Sequence, residues 1–278
     1  NSCNPVFVEL ALRMGTDTFY RYLTAFGLGK KTGIDLPGES PGILITSRNV
    51  KRVDLARIGF GQSVALTPIQ MMMAANSVIN GGKLMKPYIV SEIQTPDGET
   101  LEHFHPTVMA APIRPETSDT MRLLLERVVS EGGGKNAAIA GYRIGGKTGT
   151  AQVYKNGRVV RDTHIGSFYG FAPVNDPQVS ILVIVKEADV PIDYGGTTAA
   201  PFARQIMQEM LPYLGIEPEN DEKDEEIEVP ALKGLTIGDA KRKLSQVGLE
   251  SVTDGANTVV LDQLPPAGAK LVKGGHVM

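Results

Sequence analysis

The sequence has little of what would build a disulfide framework, a multi-cysteine metal site or a membrane helix. Cys3 is the only cysteine in 278 residues, which excludes an internal disulfide and a site made of several thiolates. No apolar run approaches the roughly 18 residues that a membrane helix needs, and no signal-peptide pattern opens the chain. The net charge of −3 gives no indication of nucleic-acid binding.

Histidine is also scarce, with four in the chain. His103 and His105 flank Phe104 in a polar stretch, but no third metal ligand lies nearby in the sequence. We interpret this pair as part of a solvated loop. The sequence therefore predicts no metal site and no cofactor.

Both ends of the chain look internal to a longer protein. It opens on Asn-Ser-Cys-Asn-Pro without an initiator methionine, and helical periodicity follows almost at once. It ends at residues 274–278, where a new strand is expected to begin. We therefore expect segments on both sides of this sequence.

An acidic run marks the main boundary. Residues 217–228 hold eight acidic side chains and one lysine, and such a run repels itself and buries no apolar surface. It predicts a linker over 216–228 between a body, 1–215, and a tail, 229–278.

The body predicts an α+β fold, with helices first and a largely antiparallel sheet after them. Glycines end the first two helices, at Gly15 and Gly27, and a capping box at Thr67-Pro68-Ile69-Gln70 begins the third. Residues 142–186 alternate as strands, with a turn at Asn156-Gly157. Further helices are predicted around 121–128 and from Pro201. One apolar face of the first helix is expected to hold Phe7, Ala11 and Met14. One apolar face of the last helix is expected to hold Phe202, Ile206 and Met210.

One stretch satisfies two motifs. Residues 141–148, GYRIGGKT, match G-x-x-x-x-G-K-[ST], the phosphate-binding loop, which requires a helix to begin at the lysine. Strand-like residues and a hairpin turn follow Lys147 instead, so a nucleotide-binding site is the weaker interpretation.

The other interpretation is a Lys147-Thr148-Gly149 strand, a motif of penicillin-binding proteins and β-lactamases. The lysine supplies positive charge, and a threonine hydroxyl can bind a carboxylate. Gly149 is expected to leave space for a substrate backbone. The alternative without a function is a glycine-rich strand with an exposed lysine.

Ser2-x-Asn4 resembles a second element of the same group, S-x-N, with both polar side chains on one side of an extended segment. Asn4-Pro5 also fits a helix start, with asparagine as the N-cap and proline in the first turn. Both interpretations can hold together.

Longer stretches carry a family resemblance. Residues 60–90, 141–152, 164–173 and 195–207 are similar, in the same order, to the transpeptidase domain of class B penicillin-binding proteins. Residues 229–249 and 263–277 resemble a PASTA module. The Ser-Cys-Asn motif with one such module resembles sporulation-type members, and division-type members are the alternative.

The resemblance implies a penicillin-binding, β-lactamase-like transpeptidase domain, partial in this chain, followed by a small α+β PASTA module. It implies a serine D,D-transpeptidase that cross-links peptidoglycan stem peptides ending in D-Ala-D-Ala and is acylated by β-lactams. Ser2 would relay a proton, Asn4 would hold the donor peptide, and Lys147 would set the positive potential. Thr148 and Thr150 would bind the terminal carboxylate beside Gly149, and the Thr150 N–H would form half of an oxyanion hole.

The family's nucleophile is a serine in S-x-x-K, and none of the twelve serines has a lysine three residues later. Gly61-Gln62-Ser63 only approaches another serine-nucleophile motif, G-x-S-x-G, because the last glycine is absent. The nucleophile is expected further towards the N-terminus, so we expect this chain alone to be inactive.

The resemblance also implies a location and partners. The parent protein would act at the extracytoplasmic face of the bacterial plasma membrane, through an anchor outside this chain. The alternative to an enzyme fragment is a cell-wall-binding or scaffolding protein that acts through the PASTA module, with cell-wall glycan or divisome-type proteins as partners and no nucleic acid.

Overall fold

The computed structural model describes residues 2–155, 158–219, 227–253, 258–271 and 273–278. Within these ranges the helices are α1 (Asn4–Ala25), α2 (Arg52–Gly59), α3 (Pro68–Ile79), α4 (Pro115–Ser130), α5 (Gly195–Thr198), α6 (Ala200–Tyr213) and α7 (Ile237–Gln246), with 3₁₀ turns at Ser47–Asn49 and Lys135–Ala137. No described helix is both long and apolar enough to cross a membrane.

The main sheet contains β5 (Gly145–Lys155), β6 (Arg158–Ala172) and β7 (Val179–Lys186), all antiparallel and in that order. This confirms the strands predicted over 142–186. Lys155 pairs with Arg158 at the hairpin end, and the predicted turn residues 156 and 157 lie outside the described residues. β5 is an edge strand of this three-stranded sheet, so one of its sides is available to a ligand.

Helices pack on the sheet to form the core. Phe168 of β6 is fully buried in a cluster with Ala203, Met207 and Leu211 of α6. A second cluster holds Ile79 of α3 together with three further sheet and loop side chains, Tyr169, Phe171 and Val174. The α+β arrangement expected for the body is therefore confirmed.

The buried face of α6 differs from the sequence expectation. Phe202 and Ile206, on the predicted apolar face, are 54% and 48% exposed. The small and flexible side chains one position further on, Ala203, Met207 and Leu211, face the sheet instead. Close approach to the sheet favours alanine over phenylalanine at the contact, because interiors are close-packed.

Helix α1 bends at the glycine that was expected to end it. Gly15 has φ 72° and ψ 164°, which interrupts the helix between its two halves. The N-cap is Cys3 and Asn4 is already helical, so the prediction of Asn4 as N-cap is wrong. On the predicted face Ala11 is buried, whereas Phe7 and Met14 are 42% and 39% exposed. Helix α2, which packs against α1, had no prediction.

Helix α3 begins as its capping box predicts. Thr67 accepts a hydrogen bond from the Gln70 N–H, and the Gln70 side chain accepts one from the Thr67 N–H. The fully buried Gln70 amide also donates to the carbonyls of Lys30, at 2.6 Å, and Pro41, at 2.9 Å. One side chain therefore fixes the helix start and two distant loop segments.

Replacing Gln70 by alanine is expected to lower the free energy of unfolding by about 2 kcal/mol, since buried carbonyls and an N–H lose their partner. Urea denaturation followed by circular dichroism would measure it. Gln94→Ala, on an exposed strand, is the matched control and should change stability little. Equal stability of the two variants would contradict the role given to Gln70.

Four short strands form two antiparallel pairs that are separate from the main sheet. β1 (Leu84–Met85) pairs with β4 (Val108–Ala110), and β2 (Glu92–Gln94) pairs with β3 (Thr100–His103). His103 ends β3 and is therefore in a strand, not in the solvated loop that was expected. Its ring lies 4.5 Å from that of His105. No cluster of three or more metal-ligating side chains occurs in the described ranges.

The C-terminal module has its own core around α7, where a helix was predicted. Val229, Leu232, Leu244, Leu249 and Val277 are buried together. β8 (Ile227–Glu228) pairs with β10 (Lys270–Leu271), and β9 (Glu250–Ser251) pairs in parallel with β11 (His276–Val277). Residues 227 and 228, placed in the predicted linker, thus belong to a strand. Residues 220–226 lie outside the described residues, and the exact boundaries stay a prediction.

His276 is a buried titratable side chain of the C-terminal module. Its Nδ1 lies 3.2 Å from a Glu250 carboxylate oxygen but is buried without a hydrogen-bond partner among the described residues. Burial lowers the pKa of His276, and the nearby Arg143 guanidinium adds to this, although Glu250 opposes it. The folded state therefore disfavours the protonated ring.

We expect stability to fall as the pH drops through the range in which an unfolded histidine takes up its proton, near pH 6.5. The His276 contribution is fully present above that range, because the ring is then neutral in both states. Thermal unfolding at pH 7.5 and pH 5.5 should show the loss, and His276→Gln should reduce it. A variant with an unchanged pH response would exclude His276 as the cause.

Candidate active site

A cleft of about 1020 Å³ lies along the edge strand β5. Its walls come from segments distant in sequence: the start of α1, the loop after α2, β5 itself, and residues around His164 and Tyr194. All six site residues predicted from the sequence line this one cleft, namely Ser2, Asn4, Lys147, Thr148, Gly149 and Thr150. The fold therefore brings together two motifs that lie 145 residues apart.

Lys147 joins the two motifs directly. Its Nζ donates to Ser2 Oγ at 2.5 Å and to the carbonyl oxygen of Thr148 at 2.8 Å. Burial lowers the pKa of Lys147, because a partly desolvated ammonium loses hydration. The ammonium thus holds the serine hydroxyl in place and supplies positive charge within the cleft.

The two threonines lie on either side of Gly149. The Thr150 hydroxyl oxygen accepts a hydrogen bond from the Gly195 N–H at 3.4 Å, so the start of α5 helps to orient it. Thr148 and Thr150 both line the cleft together with Lys147. A regular strand would send lysine and threonine to opposite sides, and the position of β5 at the sheet edge lets both reach the cleft.

Gly149 has a packing role that the sequence did not reveal. A Cβ added there would overlap the hydroxyl of Ser167 on the neighbouring strand. The missing side chain at Gly149 therefore leaves room for the Ser167 hydroxyl in its present rotamer, in addition to any space it leaves for a ligand. Asn4 lines the cleft without a hydrogen-bond partner among the described residues, so its amide is available to a ligand.

The structure also decides between the two motifs proposed for residues 141–148. Lys147 and Thr148 lie inside β5, and no helix begins there. The cradle of N–H groups that a phosphate-binding loop needs is therefore not formed. The interpretation of residues 141–148 as a phosphate-binding loop is wrong.

Five further residues in or next to the cleft were not among the site residues predicted from the sequence. Phe60 and Ser63 line it from the loop after α2, and Ser63 has a left-handed φ of 60°. His164 and Tyr194 line its far end, with Asp193 behind His164. The Gly-Gln-Ser sequence before Val64 was the signal at Ser63, but nothing local links His164 with Asp193, which lie 29 residues apart.

The comparisons with known proteins agree with this geometry. The penicillin binding protein transpeptidase domain model matches residues 1–208, and the PASTA domain model matches residues 227–277. A chain with these matches belongs to the penicillin-binding protein transpeptidase family. This confirms the family and the fold class indicated by the sequence motifs.

Relatives include stage V sporulation protein D of Bacillus subtilis, 41% identical over the whole chain and 44% of that protein. Penicillin-binding protein PbpB of Mycolicibacterium smegmatis is 34% identical over 76% of the chain and 34% of its own length. The chain spans less than half the length of these relatives.

A solved structure of penicillin binding protein 3 from Mycobacterium tuberculosis, complexed with ampicillin, has the same fold. Its TM-score is 0.71 at 28% identity, and the match covers 77% of this chain and 50% of that one. A domain from Burkholderia pseudomallei penicillin-binding protein 3 superposes with a TM-score of 0.68 at 28% identity over 78% of this chain and 63% of its own.

Proposed function

We propose that this chain supplies one wall of a serine D,D-transpeptidase site that cross-links peptidoglycan stem peptides. The observation that carries the proposal is the contact between Lys147 Nζ and Ser2 Oγ in a cleft beside an edge strand. A peptide ending in D-Ala-D-Ala would lie along β5, where an edge strand can pair with an extended backbone.

Each site residue has a role in this proposal. Thr148 and Thr150 bind the terminal carboxylate, helped by the positive charge of Lys147. The Thr150 N–H stabilises the oxyanion that forms when the peptide carbonyl is attacked. Ser2, held by Lys147, passes a proton to the departing D-alanine, and Asn4 binds the amide of the donor peptide.

We further propose that the chain by itself forms no acyl-enzyme. None of its serines carries the S-x-x-K pattern, and covalent catalysis needs an activated nucleophile. Ser2 accepts a hydrogen bond from Lys147, but we assign this pair to proton relay and not to nucleophilic attack.

Incubation with a fluorescent penicillin followed by a denaturing gel tests this. We expect no labelled band from the chain, and a band from a longer protein of the family run beside it. A band from the chain that disappears in Ser2→Ala would contradict the assignment and make Ser2 a nucleophile.

The module favours a second candidate function. Its match to the PASTA domain and its separate core support binding to cell-wall material. Sedimentation with purified peptidoglycan would compare the chain with a version lacking residues 227–278. Retention that requires these residues supports the second function; retention that Lys147→Met abolishes supports the cleft instead.

The same relatives support the proposed location and process. A peptidoglycan transpeptidase acts outside the plasma membrane, so we place the parent protein at the extracytoplasmic face. Similarity over the whole chain to a sporulation protein favours spore-cortex synthesis, with division as the alternative.

A further inference from the structure

A buried carboxylate orients a histidine at the far end of the cleft. Asp193 is only 6% exposed, and its carboxylate accepts two hydrogen bonds from His164. The His164 backbone N–H lies 2.6 Å from Oδ2, and the ring Nδ1 lies 2.7 Å from Oδ1. The rings of His164 and Tyr194 contact each other edge to face, with their centroids 5.6 Å apart. These contacts fix the position and the plane of the imidazole.

The carboxylate also fixes which ring nitrogen carries the hydrogen. Burial raises the pKa of Asp193, but the hydrogen bonds from His164 outweigh it and keep the pKa below its usual value. Asp193 is therefore ionised at neutral pH and can only accept hydrogen bonds. Nδ1 must be the donor, so Nε2 of a neutral ring is left as an acceptor. Nε2 has no hydrogen-bond partner among the described residues.

The sheet register gives the position of the His164–Asp193 pair along the strands. His164 is paired with Gln152 across the strands, two residues beyond Thr150. Strand residues advance about 3.4 Å each, so the offset is about 7 Å. The cleft thus has a cationic end at Lys147, and at its other end the ring of His164 with the Asp193 carboxylate behind it.

We propose that His164, oriented by Asp193, binds an amine on the substrate side chain two residues before the terminal D-alanine. This inference rests on the proposed function, in which the terminal carboxylate lies at Thr148 and Thr150. In an extended peptide, a residue two positions upstream lies about 7 Å away, which matches the strand offset. A protonated amine donates to Nε2 and is attracted by the Asp193 carboxylate behind the ring. Asp193 is the positioning residue, and His164 makes the contact.

Two peptides test the proposal at neutral pH. Nα-acetyl-L-Lys-D-Ala-D-Ala keeps the side-chain amine, and the Nα,Nε-diacetyl form blocks it. We expect the whole chain to bind the first about fivefold more tightly, as suits a partly exposed charged contact. Amide-resolved NMR titration gives both affinities and shows whether the His164 and Tyr194 signals respond only to the free amine.

The variants separate recognition from folding. His164→Phe keeps a ring but removes the acceptor, and Asp193→Asn removes the charge; both should bind the two peptides equally. His105→Phe, in the exposed stretch between β3 and β4, is the matched control and should keep the preference. If both cleft variants unfold, the selective response of the wild-type His164 and Tyr194 signals still decides, and its absence overturns the proposal.

Three other outcomes overturn it. A preference that survives in both variants assigns the amine to other groups. Tighter binding of the diacetyl peptide means that the ring is a donor. Equal binding of both peptides by the wild type refutes this inference while leaving the proposed function intact, whereas binding of neither refutes the proposed function as well.

Discussion

Replacing Gly195 by alanine is expected to lower the free energy of unfolding by about 3 kcal/mol, the upper part of the usual cost of overpacking. Gly195 is buried and begins α5, which lies on β5 and β6. An added Cβ would overlap the carbonyl oxygens of Gly149 and Ser167 and would lie 2.8 Å from the Ser167 nitrogen. These are backbone atoms that cannot rotate away, so the helix start must move off the sheet.

The displacement should also reach the site. The Gly195 N–H donates to the Thr150 hydroxyl, so movement of α5 would release that side chain. We therefore expect weaker binding of a D-Ala-D-Ala peptide along with lower stability. A substitution that only destabilised a distant part of the fold would not change the NMR signals of residues 148–150.

Urea denaturation measures the stability change, and Gly238→Ala is the matched control. Gly238 lies in the first turn of α7, and the nearest atom to its added Cβ is 3.9 Å away. Alanine favours helix over glycine by up to about 1 kcal/mol, so this variant should be at least as stable as the wild type. If Gly195→Ala matched it, the contact between α5 and the strands would be disproved.

Features encoded by neighbouring residues could be predicted from the sequence. The capping box at Thr67 and the strands over 142–186 depend on spacing and backbone chemistry within a few residues. The glycine at position 15 indicated an interruption of the helix, but the prediction that the helix ends there was wrong. The Lys-Thr-Gly strand was separated from a phosphate-binding loop in the same way, because the residues after Lys147 do not start a helix.

Features that depend on residues distant in the sequence could not be predicted from it. The buried face of α6 depends on how closely the helix approaches the sheet, which favours Ala203 over Phe202. The packing role of Gly149 depends on Ser167, on the next strand. The His164–Asp193 pair has no local pattern, because a loop beyond β7 brings the carboxylate back. In each case the deciding atoms belong to another element.

Replacing Lys147 by methionine is expected to weaken binding of a D-Ala-D-Ala peptide by about tenfold, if the proposed substrate site is right. A hydrogen bond to a charged group contributes about 1.5 kcal/mol at the lower end of its range, which corresponds to that factor. Methionine keeps much of the side-chain length while removing the ammonium. The Ser2 hydroxyl also loses its donor, so its position becomes less defined.

The free energy of unfolding of Lys147→Met should change much less than its peptide affinity. The lowered pKa of Lys147 shows that burial disfavours its charge, and removing that charge relieves this cost. The hydrogen bonds to Ser2 and to the Thr148 carbonyl are lost at the same time, so we expect a small net change. Binding and unfolding measured on one variant therefore distinguish a ligand contact from a structural role.

Comparing a peptide that has a free terminal carboxylate with one amidated there tests the role of Lys147 more directly. A peptide amidated at its C-terminus should bind the wild type weakly, and Lys147→Met should not weaken it further, because the charge partner is already absent. Lys135→Met, at an exposed lysine outside the cleft, should leave both affinities unchanged. Equal losses for the acid and the amide peptide would mean that Lys147 acts on the shape of the cleft, and the carboxylate would then have to be bound by the threonines alone.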